Sequence, residues 1–184
     1  MNKAVFLDRD DTIIKDVGHP HKREQVTFLS GAYRAISLLN TNGYKVVIVT
    51  NQAGIAKGYF TEETVREFND YLIEEMKKQN AVIDAIYYCP HHVEAVIEEY
   101  RKDCYNRKPN PGMLEEAASV MDIDLEYSYL IGDKVSDIDA GRRAGCRTIL
   151  INSNGSKDET ECDHISSSLY EAVTWLVNNG SHDK

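Results

Sequence analysis

Short apolar runs alternate with amphipathic segments along the chain, and this alternation limits the possible folds more than any other feature of the sequence. Short, mostly apolar runs are typical of strands buried on both faces. They predict five strands, at residues 4–7, 45–49, 83–88, 129–131 and 148–151. Apolar residues spaced at i, i+3, i+4 and i+7 predict helices, at residues 32–39, 62–76, 111–121, 136–145 and 169–176. Strands that alternate with helices form a doubly wound parallel sheet, so we predict a Rossmann-like α/β fold.

The ends of two predicted helices carry local sequence signals. Asn110 followed by Pro111 predicts a helix that has Asn110 as its N-cap and the proline at its first position. Ser136 and Asp139 have the spacing of a capping box, and Gly145 predicts the C-terminal end of the same helix.

Length, charge and hydropathy restrict the possible partners. A chain of 184 residues suits one α/β domain, and we predict a single domain over residues 1–184 with a short loop insertion at residues 89–108. The formal net charge of −9 argues against a broad nucleic-acid surface, which needs clustered Lys and Arg. Because the chain has neither an apolar run long enough for a membrane span nor a signal-peptide pattern, we expect a cytoplasmic protein without membrane partners. We also expect a monomer. In that compartment the four cysteines would be thiols or metal ligands.

Polar residues follow three of the predicted strands at their carboxyl ends. They are Asp8 and Asp10 after the first strand, Thr50 and Asn51 after the second, and Asp133 after the fourth, with Lys108 in the loop before a helix. In a doubly wound sheet, ligands bind beyond the carboxyl ends of the strands. The topology therefore brings these distant residues to one edge of the sheet.

Paired carboxylates after a strand have two interpretations. Asp8 and Asp10 on their own could lie in a solvated turn, which is the more common fate of such a pair. The arrival of Asp133 at the same edge favours a metal site, because uncompensated carboxylates are costly and hard oxygen ligands suit Mg²⁺. The sequence therefore predicts a magnesium ion at this edge.

The same residues match the needs of phosphoryl transfer, which are a nucleophile, cations for the phosphoryl oxygens and a proton for the leaving oxygen. Asp8 can act as the nucleophile, and Asp10 can act as the general acid and base. Thr50 and Lys108 can stabilise the phosphoryl oxygens. Asp137 can orient Lys108 or a metal-bound water.

Four short motifs carry a family resemblance: Asp8-Arg9-Asp10-Asp11-Thr12, Thr50, Lys108 and Gly132-Asp133-x-x-x-Asp137. They resemble the motifs of haloacid-dehalogenase-type phosphatases. Five longer stretches within residues 5–141 support a narrower resemblance: FLDRDDTI, VVIVTNQAGIAKGYFTEE, YYCPHH, RKPNPGML and LIGDKVSDIDAG. Within that family they resemble most the heptose 1,7-bisphosphate 7-phosphatases, with the histidinol-phosphate phosphatases as close relatives.

The resemblance implies a magnesium-dependent aspartyl-phosphate mechanism in a fold without a large cap domain. It implies Asp8 as nucleophile and Asp10 as acid/base, with magnesium held by Asp8, Asp133 and the backbone carbonyl of Asp10. The substrate-binding residues would be Arg9, Asp16, Val17, Gly18, His19, Asn51, Gln52, Ala53 and Arg107. Arg107 would contact the distal part of the substrate, because its planar fork can bind a second phosphate or a hydroxyl pair.

The loop at residues 89–108 resembles a zinc loop of the family, whose pattern is C-x-H followed by C-x-C. The implied zinc ligands are Cys89, His91 and Cys104. Asn106 stands where the second cysteine of the later pair is expected, and a neutral amide is a poor zinc ligand. Two alternatives stay open. Three ligands could hold zinc with a water, His92 or Asp103 completing the shell, or packing and hydrogen bonds alone could hold a loop that carries ordinary thiols.

Asp11 is a second departure from the family, which usually carries glycine at this position. The extra carboxylate could face solvent, or it could add negative charge and weaken phosphate binding. We expect aspartate to be tolerated unless the backbone adopts a conformation that is open only to glycine.

The leading hypothesis is a sugar-bisphosphate 7-phosphatase that serves the heptose precursors of surface polysaccharide, such as lipopolysaccharide. A histidinol-phosphate phosphatase is the alternative within the enzyme class, but its substrate would want acidic groups near the amine, whereas Arg107 and Lys57 favour an anionic or hydroxyl-rich end. A catalytically silent binding module would have lost a nucleophile, acid or lysine, and none is lost. A nucleic-acid 3′-phosphatase conflicts with the acidic net charge.

Overall fold

The computed structural model describes residues 1–152 and 161–180 of the chain. The strands are β1 (Ala4–Leu7), β2 (Lys45–Asn51), β3 (Ala85–Cys89), β4 (Tyr129–Gly132), β5 (Arg147–Ile151) and β6 (His164–Ser166). The helices are α1 (Ala32–Thr41), α2 (Ala53–Ala56), α3 (Glu62–Lys78), α4 (Gly112–Met121), α5 (Val135–Ala144) and α6 (Leu169–Asn179). Two 3₁₀ turns lie at Arg23–Gln25 and Glu98–Tyr100.

All six strands pair in parallel in one sheet, in the order β3-β2-β1-β4-β5-β6. The predicted doubly wound α/β sheet is therefore confirmed. The strand order reverses between β1 and β4, where Leu7 is paired with Ile131. This is the topological switch point, at which sheets of this kind open a crevice beyond the strand ends. Asp8 and Asp133 come directly after these two strands.

The two faces of the sheet bury different side chains because residues alternate along each strand. Val5 and Leu7 of β1 point into a core that is covered by α1, α3 and α6. Ala4 and Phe6 point into the opposite core, which is covered by α4 and α5. Both cores are closed to solvent, so β1 is held firmly from both sides up to the residue before Asp8. In the described residues, no helix is long and apolar enough to cross a membrane.

The helix ends that carry local signals differ from the predictions. The helix predicted to begin at Pro111 begins one residue later, with Pro111 as its N-cap. The Asn110 side chain instead donates to the Cys104 carbonyl and accepts from Arg143, so the predicted cap is wrong.

At α5 the capping contact joins Lys134 and Asp137, whose Oδ2 accepts the Lys134 N–H at 3.0 Å. The predicted pair of Ser136 and Asp139 is therefore wrong by two positions. The predicted C-terminal end is confirmed, since Gly145 caps α5 in the left-handed conformation.

Candidate active site

Asp8 and Lys108 form an ion pair at the switch point. The Asp8 N–H donates to the carbonyl of Ile131 on β4 at 3.0 Å, which fixes the start of the loop. Lys108 Nζ donates to Asp8 Oδ1 at 2.7 Å, to the Val49 carbonyl at 2.7 Å and to Asp137 Oδ1 at 2.6 Å. Burial acts to lower the pKa of Lys108, but the charges of Asp137 and Asp8 outweigh it and raise the pKa. The lysine therefore stays a cation with all three donors used.

Asn51 holds the backbone that carries Lys108. Its side-chain amide donates to the Lys108 carbonyl at 2.9 Å and accepts the Lys108 N–H at 3.0 Å. Both polar ends of Asn51 are thus engaged, although the sequence predicts substrate contact for this residue. Asn51 thus positions Lys108, and because it also lines the cavity described below, its substrate contact stays a prediction.

Three carboxylates converge beside this ion pair. One oxygen each of Asp8, Asp133 and Asp137 lies within 4.8 Å of the other two. The Asp133 Oδ1 atom is buried and has no hydrogen-bond partner in the described structure, which is costly for a carboxylate oxygen. Burial, and then the negative charge of Asp8, raise the pKa of Asp133 to about 7. An unsatisfied, crowded carboxylate group of this kind fits a divalent cation.

Gly132 makes this crowding possible. A Cβ atom at Gly132 would collide with the Asp137 carboxylate, so only glycine lets α5 bring Asp137 up to β4. Asp137 is almost fully buried, and its two oxygens are held by Lys108 and by the Lys134 N–H. The motif Gly132-Asp133-x-x-x-Asp137 therefore has a steric reason as well as a chemical one.

The raised pKa of Asp133 predicts how the stability of the metal-free protein depends on pH. Its pKa in the folded state lies above the unfolded value of 3.8, so its contribution is fully present below about pH 4 and is lost as pH rises towards 7. In EDTA, the free energy of unfolding of the wild type should therefore fall as pH rises. Asp133→Asn should make this fall smaller by about 2 kcal/mol. Chemical denaturation between pH 4 and 8 measures it, with Asp70→Asn on the exposed face of α3 as control. Identical pH profiles for wild type and Asp133→Asn would contradict the assignment.

Asp10 is held by two side chains at the edge of the same site. Arg9 donates from Nε and Nη2 to the two Asp10 oxygens at 2.9 and 3.1 Å. Gln52 donates to Asp10 Oδ2 at 3.2 Å and to Thr50 Oγ1 at 2.9 Å. The Asp10 side chain keeps 13% of its surface exposed. It is therefore oriented yet open to the crevice, as a group that exchanges protons with a substrate must be.

Arg9 itself is completely buried, in contrast to its predicted contact with substrate. Besides Asp10, its guanidinium donates to Asn69 Oδ1 and to the Pro20 carbonyl, and it stacks on the Phe68 ring at 4.9 Å. These contacts leave the side chain unavailable to a ligand in this structure. Arg9 therefore holds Asp10 through two hydrogen bonds. Gln52 is likewise buried and acts through Asp10 and Thr50.

A small open cavity of about 40 Å³ lies beside Asp8, Asp10 and Lys108. The side chains that line it are Asp8, Asp10, Thr50, Asn51, Lys108, Lys134, Ser136 and Asp137. Sequence reasoning missed Lys134 and Ser136. Lys134 directly follows Asp133 at a strand end, which is the signal that could have found it. Its Nζ lies 3.7 Å from Asp133 Oδ2. The cavity can take a phosphoryl group but not a sugar.

The remaining predicted substrate-binding residues are not among those that line the cavity. Asp16, Val17, Gly18 and His19 form a turn in which Asp16 Oδ1 accepts the N–H groups of Gly18 and His19. Burial, the largest cause, and nearby Lys57 lower the pKa of His19, while Asp10 is close enough to oppose them. Ala53 begins the short helix α2.

Arg107 is half-buried, and its Nη1 donates to the His91 carbonyl at 3.0 Å. Burial lowers its pKa, against the opposing influence of Cys89 and Cys104. This arginine therefore lies beside the cysteines as well as next to Lys108.

Asp11 adopts the left-handed conformation with φ of 59°. Asp and Asn enter this region more readily than other residues, so the position does not demand glycine. The Asp11 Oδ1 atom accepts the Asp16 N–H at 2.8 Å. The extra carboxylate thus faces the following turn and helps to order it.

Cys89, His91 and Cys104 converge at the base of the loop that carries Arg107 and Lys108. Their ligand atoms all lie within 4.8 Å of one another, and Cys89 Sγ is 3.8 Å from His91 Nδ1. Ligands of tetrahedral zinc lie about 3.5 Å apart, so these three side chains fit a zinc ion. The Asn106 amide donates to Glu116 on α4 instead.

Comparisons with known proteins agree with this geometry. The sequence pattern of the HAD-hydrolase-like family matches residues 105–183. The D-glycero-alpha-D-manno-heptose-1,7-bisphosphate 7-phosphatase of Photorhabdus laumondii is 39% identical over 170 residues, which cover 91% of this chain and 93% of that protein. The D-glycero-beta-D-manno-heptose-1,7-bisphosphate 7-phosphatase of Escherichia coli K12 is 36% identical and covers 96% of this chain and 88% of its own.

A solved structure has the same fold at full length. The D,D-heptose 1,7-bisphosphate phosphatase from B. bronchiseptica, complexed with magnesium and phosphate, superposes with a TM-score of 0.81 at 29% identity. The match covers 96% of this chain and 98% of the other. Because relatives of this similarity span nearly the whole sequence, the chain belongs to the heptose 1,7-bisphosphate 7-phosphatase family of HAD-like hydrolases.

Proposed function

We propose that this protein hydrolyses the 7-phosphate of D-glycero-D-manno-heptose 1,7-bisphosphate through an aspartyl-phosphate on Asp8. The observation that carries the proposal is the Asp8 carboxylate at the switch point, with Lys108 on one oxygen and two further carboxylates beside it. Family membership supports the substrate, and the residue roles below rest on the geometry of the site. We also propose a cytoplasmic location, which suits the free thiols of the described cysteines.

Asp8 would attack phosphorus directly. Lys108 fixes Asp8 Oδ1 at 2.7 Å, which leaves the second oxygen to form the new bond to phosphorus. As this bond forms, the bond between phosphorus and the O7 oxygen of the sugar breaks, and the sugar leaves as an alkoxide that needs a proton. Thr50 and Lys108 line the cavity in which the phosphoryl oxygens would lie, so they can stabilise the developing charge there.

Asp10 would act as the general acid in the first step and as the general base in the second. In its protonated form it gives the proton to the leaving O7 oxygen, and the resulting carboxylate then takes a proton from water. This water attacks phosphorus, breaks its bond to Asp8 and releases inorganic phosphate. Arg9 and Gln52 hold the Asp10 carboxylate in place for both transfers.

Magnesium would be held by Asp8, Asp133 and the backbone carbonyl of Asp10. The unpartnered Asp133 Oδ1 and the crowding of the carboxylates make this part of the site suitable for a cation. When bound, Mg²⁺ supplies positive charge that offsets the repulsion between these carboxylates and a phosphate dianion. Lys108 would orient the Asp8 carboxylate, and Arg9 and Gln52 would orient the Asp10 carboxylate.

A kinetic comparison of substrates tests the proposed function. Phosphate release should be measured with the α and β anomers of heptose 1,7-bisphosphate and with histidinol phosphate, in Mg²⁺ and in EDTA. We expect kcat/KM for at least one heptose anomer to exceed that for histidinol phosphate by about 100-fold, because the basic side chains of Arg107 and Lys57 favour a second anionic group over an amine. We expect EDTA to abolish turnover and added Mg²⁺ to restore it. Preference for histidinol phosphate would contradict the proposal.

For zinc we propose a site with Cys89, His91 and Cys104 as its protein ligands. Their convergence supports the proposal. Burial raises the pKa of Cys89 to about 12 against the opposing charge of Arg107, so its ligating thiolate form would depend on the bound ion. Such an ion would tie the start of the loop to the segment before Lys108. Its role would be structural.

Metal analysis tests the zinc proposal without reference to activity. Freshly purified protein should contain nearly one zinc per chain, and Cys104→Ser should lose it. Cys162→Ser, which changes a cysteine outside this cluster, should keep the zinc. Absence of zinc from wild type, or zinc retained at full level in Cys104→Ser, would contradict the three-ligand site.

A further inference from the structure

Glu62, in the first turn of helix α3, is bonded to two tyrosines at and within the loop at residues 89–108. Its Oε2 atom accepts a hydrogen bond from the Tyr88 hydroxyl at 2.8 Å, and its Oε1 atom accepts one from the Tyr100 hydroxyl at 3.1 Å. Tyr88 lies in β3 directly before the loop, and Tyr100 lies in the 3₁₀ turn of the loop. Both oxygens of one carboxylate therefore tie the loop to α3, although the proposed reaction gives Glu62 no role.

The start of α3 places the Glu62 carboxylate. Thr61 is the N-cap of the helix, and its hydroxyl accepts the Thr64 N–H at 3.2 Å. The positive end of the helix dipole favours the ionised form of a carboxylate in the first turn, and an ionised carboxylate is a stronger acceptor than a neutral group. Arg66 Nη1, one turn later, lies 3.9 Å from Glu62 Oε2. Glu62 is thus a charged acceptor at a fixed end of the helix.

The contact with Tyr100 leads to Arg107 by a short path. The Tyr100 carbonyl accepts the His92 N–H at 3.1 Å. The carbonyl of the preceding residue, His91, accepts the hydrogen bond from Arg107 Nη1 at 3.0 Å. The backbone that holds the Arg107 guanidinium is therefore itself held, through Tyr100, by Glu62.

Contacts with helix α2 complete the attachment of the loop. The N–H groups of Val96 and Ile97 donate to the Ala56 carbonyl at 2.9 and 3.0 Å. The rings of Tyr88 and Tyr100 pack on a small apolar cluster of Ile55, Phe60 and Val65. All three proposed zinc ligands lie outside residues 92–101, near the two ends of the loop. The middle of the loop is thus attached by contacts that need no metal ion.

We infer that Glu62 is a positioning residue for Arg107, and that it holds the middle of the loop through Tyr100 whether or not a metal ion is bound. The inference rests on the proposed function in one respect, since it takes Arg107 to contact the distal part of the substrate. Lys108 depends less on Glu62, because its own ion pairs and the Asn51 amide hold it. Loss of the Glu62 contacts therefore weakens substrate binding and leaves the chemical step nearly unchanged.

Hydrogen exchange followed by mass spectrometry tests the contacts without any substrate. In EDTA, the amides of residues 92–101 should exchange about tenfold to a hundredfold faster in Glu62→Ala than in the wild type, because two hydrogen bonds to a charged acceptor are lost. Glu63→Ala is the matched control, since this exposed glutamate lies in the same turn of α3, and it should leave the exchange unchanged. Equal exchange in the wild type and Glu62→Ala would overturn the inference.

Kinetics with heptose 1,7-bisphosphate in Mg²⁺ test the link to Arg107. Glu62→Ala should raise KM about tenfold and change kcat by less than about threefold. Tyr100→Phe, which keeps the packed ring and removes only the hydroxyl, should raise KM about threefold. In Arg107→Met, the further change Glu62→Ala should raise KM no more, because a positioning residue acts only through its partner. Additive effects on KM, or a large loss of kcat at unchanged KM, would overturn the positioning role.

The two measurements separate this inference from the proposed function. A wild type that does not hydrolyse heptose 1,7-bisphosphate would contradict the proposed function and, with it, the link to Arg107, while hydrogen exchange would still decide whether Glu62 holds the loop. A wild type that hydrolyses it, with an unchanged KM in Glu62→Ala, would overturn the role of Glu62 and leave the proposed function standing.

Discussion

Asp8→Asn is expected to lower kcat by on the order of 10⁴-fold or more while the fold stays intact. Asparagine has nearly the same shape, and its carbonyl oxygen can still accept the hydrogen bond from Lys108 Nζ. It cannot form an acyl-phosphate. Because the change also removes one of three crowded carboxylates, the free energy of unfolding should not fall by more than about 1 kcal/mol.

The measurements are steady-state phosphate release and chemical denaturation of the same preparation. Asp70→Asn is the matched control, since this aspartate is exposed on α3 and should leave kcat unchanged. If Asp8→Asn retained more than a small percentage of wild-type activity, hydrolysis would have to proceed by direct attack of water, and the covalent scheme would be excluded.

Lys108→Met is expected to damage both activity and stability. Loss of a cation in the phosphoryl cavity should lower kcat by about 10³-fold. It also leaves Asp8 and Asp137 buried without their partner, which should lower the free energy of unfolding by about 3 kcal/mol at pH 7.5 in EDTA.

The loss of stability should depend on pH with a defined sign. Burial raises the pKa of Asp137 above its unfolded value of 3.8, and the charge of Lys108 opposes this rise. Without the lysine the rise is larger, so the folded state is favoured at low pH and loses stability as pH rises. The deficit should therefore be small near pH 4 and should grow towards pH 8. Equal stability of Lys108→Met and wild type across this range would contradict the buried-pair account.

A second change separates stability from catalysis. In Lys108→Met with Asp137→Asn, one buried charge fewer remains uncompensated, so most of the lost stability should return. Activity should not return, because the cation near the phosphoryl oxygens is still missing. Denaturation and kinetic measurements on the double variant distinguish the two roles of the lysine.

Much of the fold could be predicted because buried parallel strands have a strong and simple signal. The run Ala4–Leu7 is predicted and found with the same bounds. The edge strand β6 has no such signal, since it is three residues long and two of them are polar. Helix α2, with four residues, is too short to show a period. These elements depend on pairing and packing with their neighbours and not on local pattern.

The candidate site was predictable where residues follow strand ends and less so where contacts span the chain. Asp8, Asp133 and Lys108 come together as the topology requires. Asn51 bonds to the backbone of a residue 57 positions away, and no local pattern contains that information. Arg9 is buried because Asp10, Asn69 and Pro20 supply acceptors, whereas an arginine in a sequence is normally expected at the surface.

The central claim is the covalent intermediate on Asp8, and chemical trapping tests it most directly. Wild-type enzyme turning over heptose 1,7-bisphosphate in Mg²⁺ is quenched in acid, and the acyl-phosphate is reduced with borohydride before peptide mass spectrometry. Reduction of an aspartyl-phosphate yields homoserine. We expect homoserine at position 8 only, dependent on substrate and absent from Asp8→Asn. Homoserine at another aspartate, or none during active turnover, would contradict it.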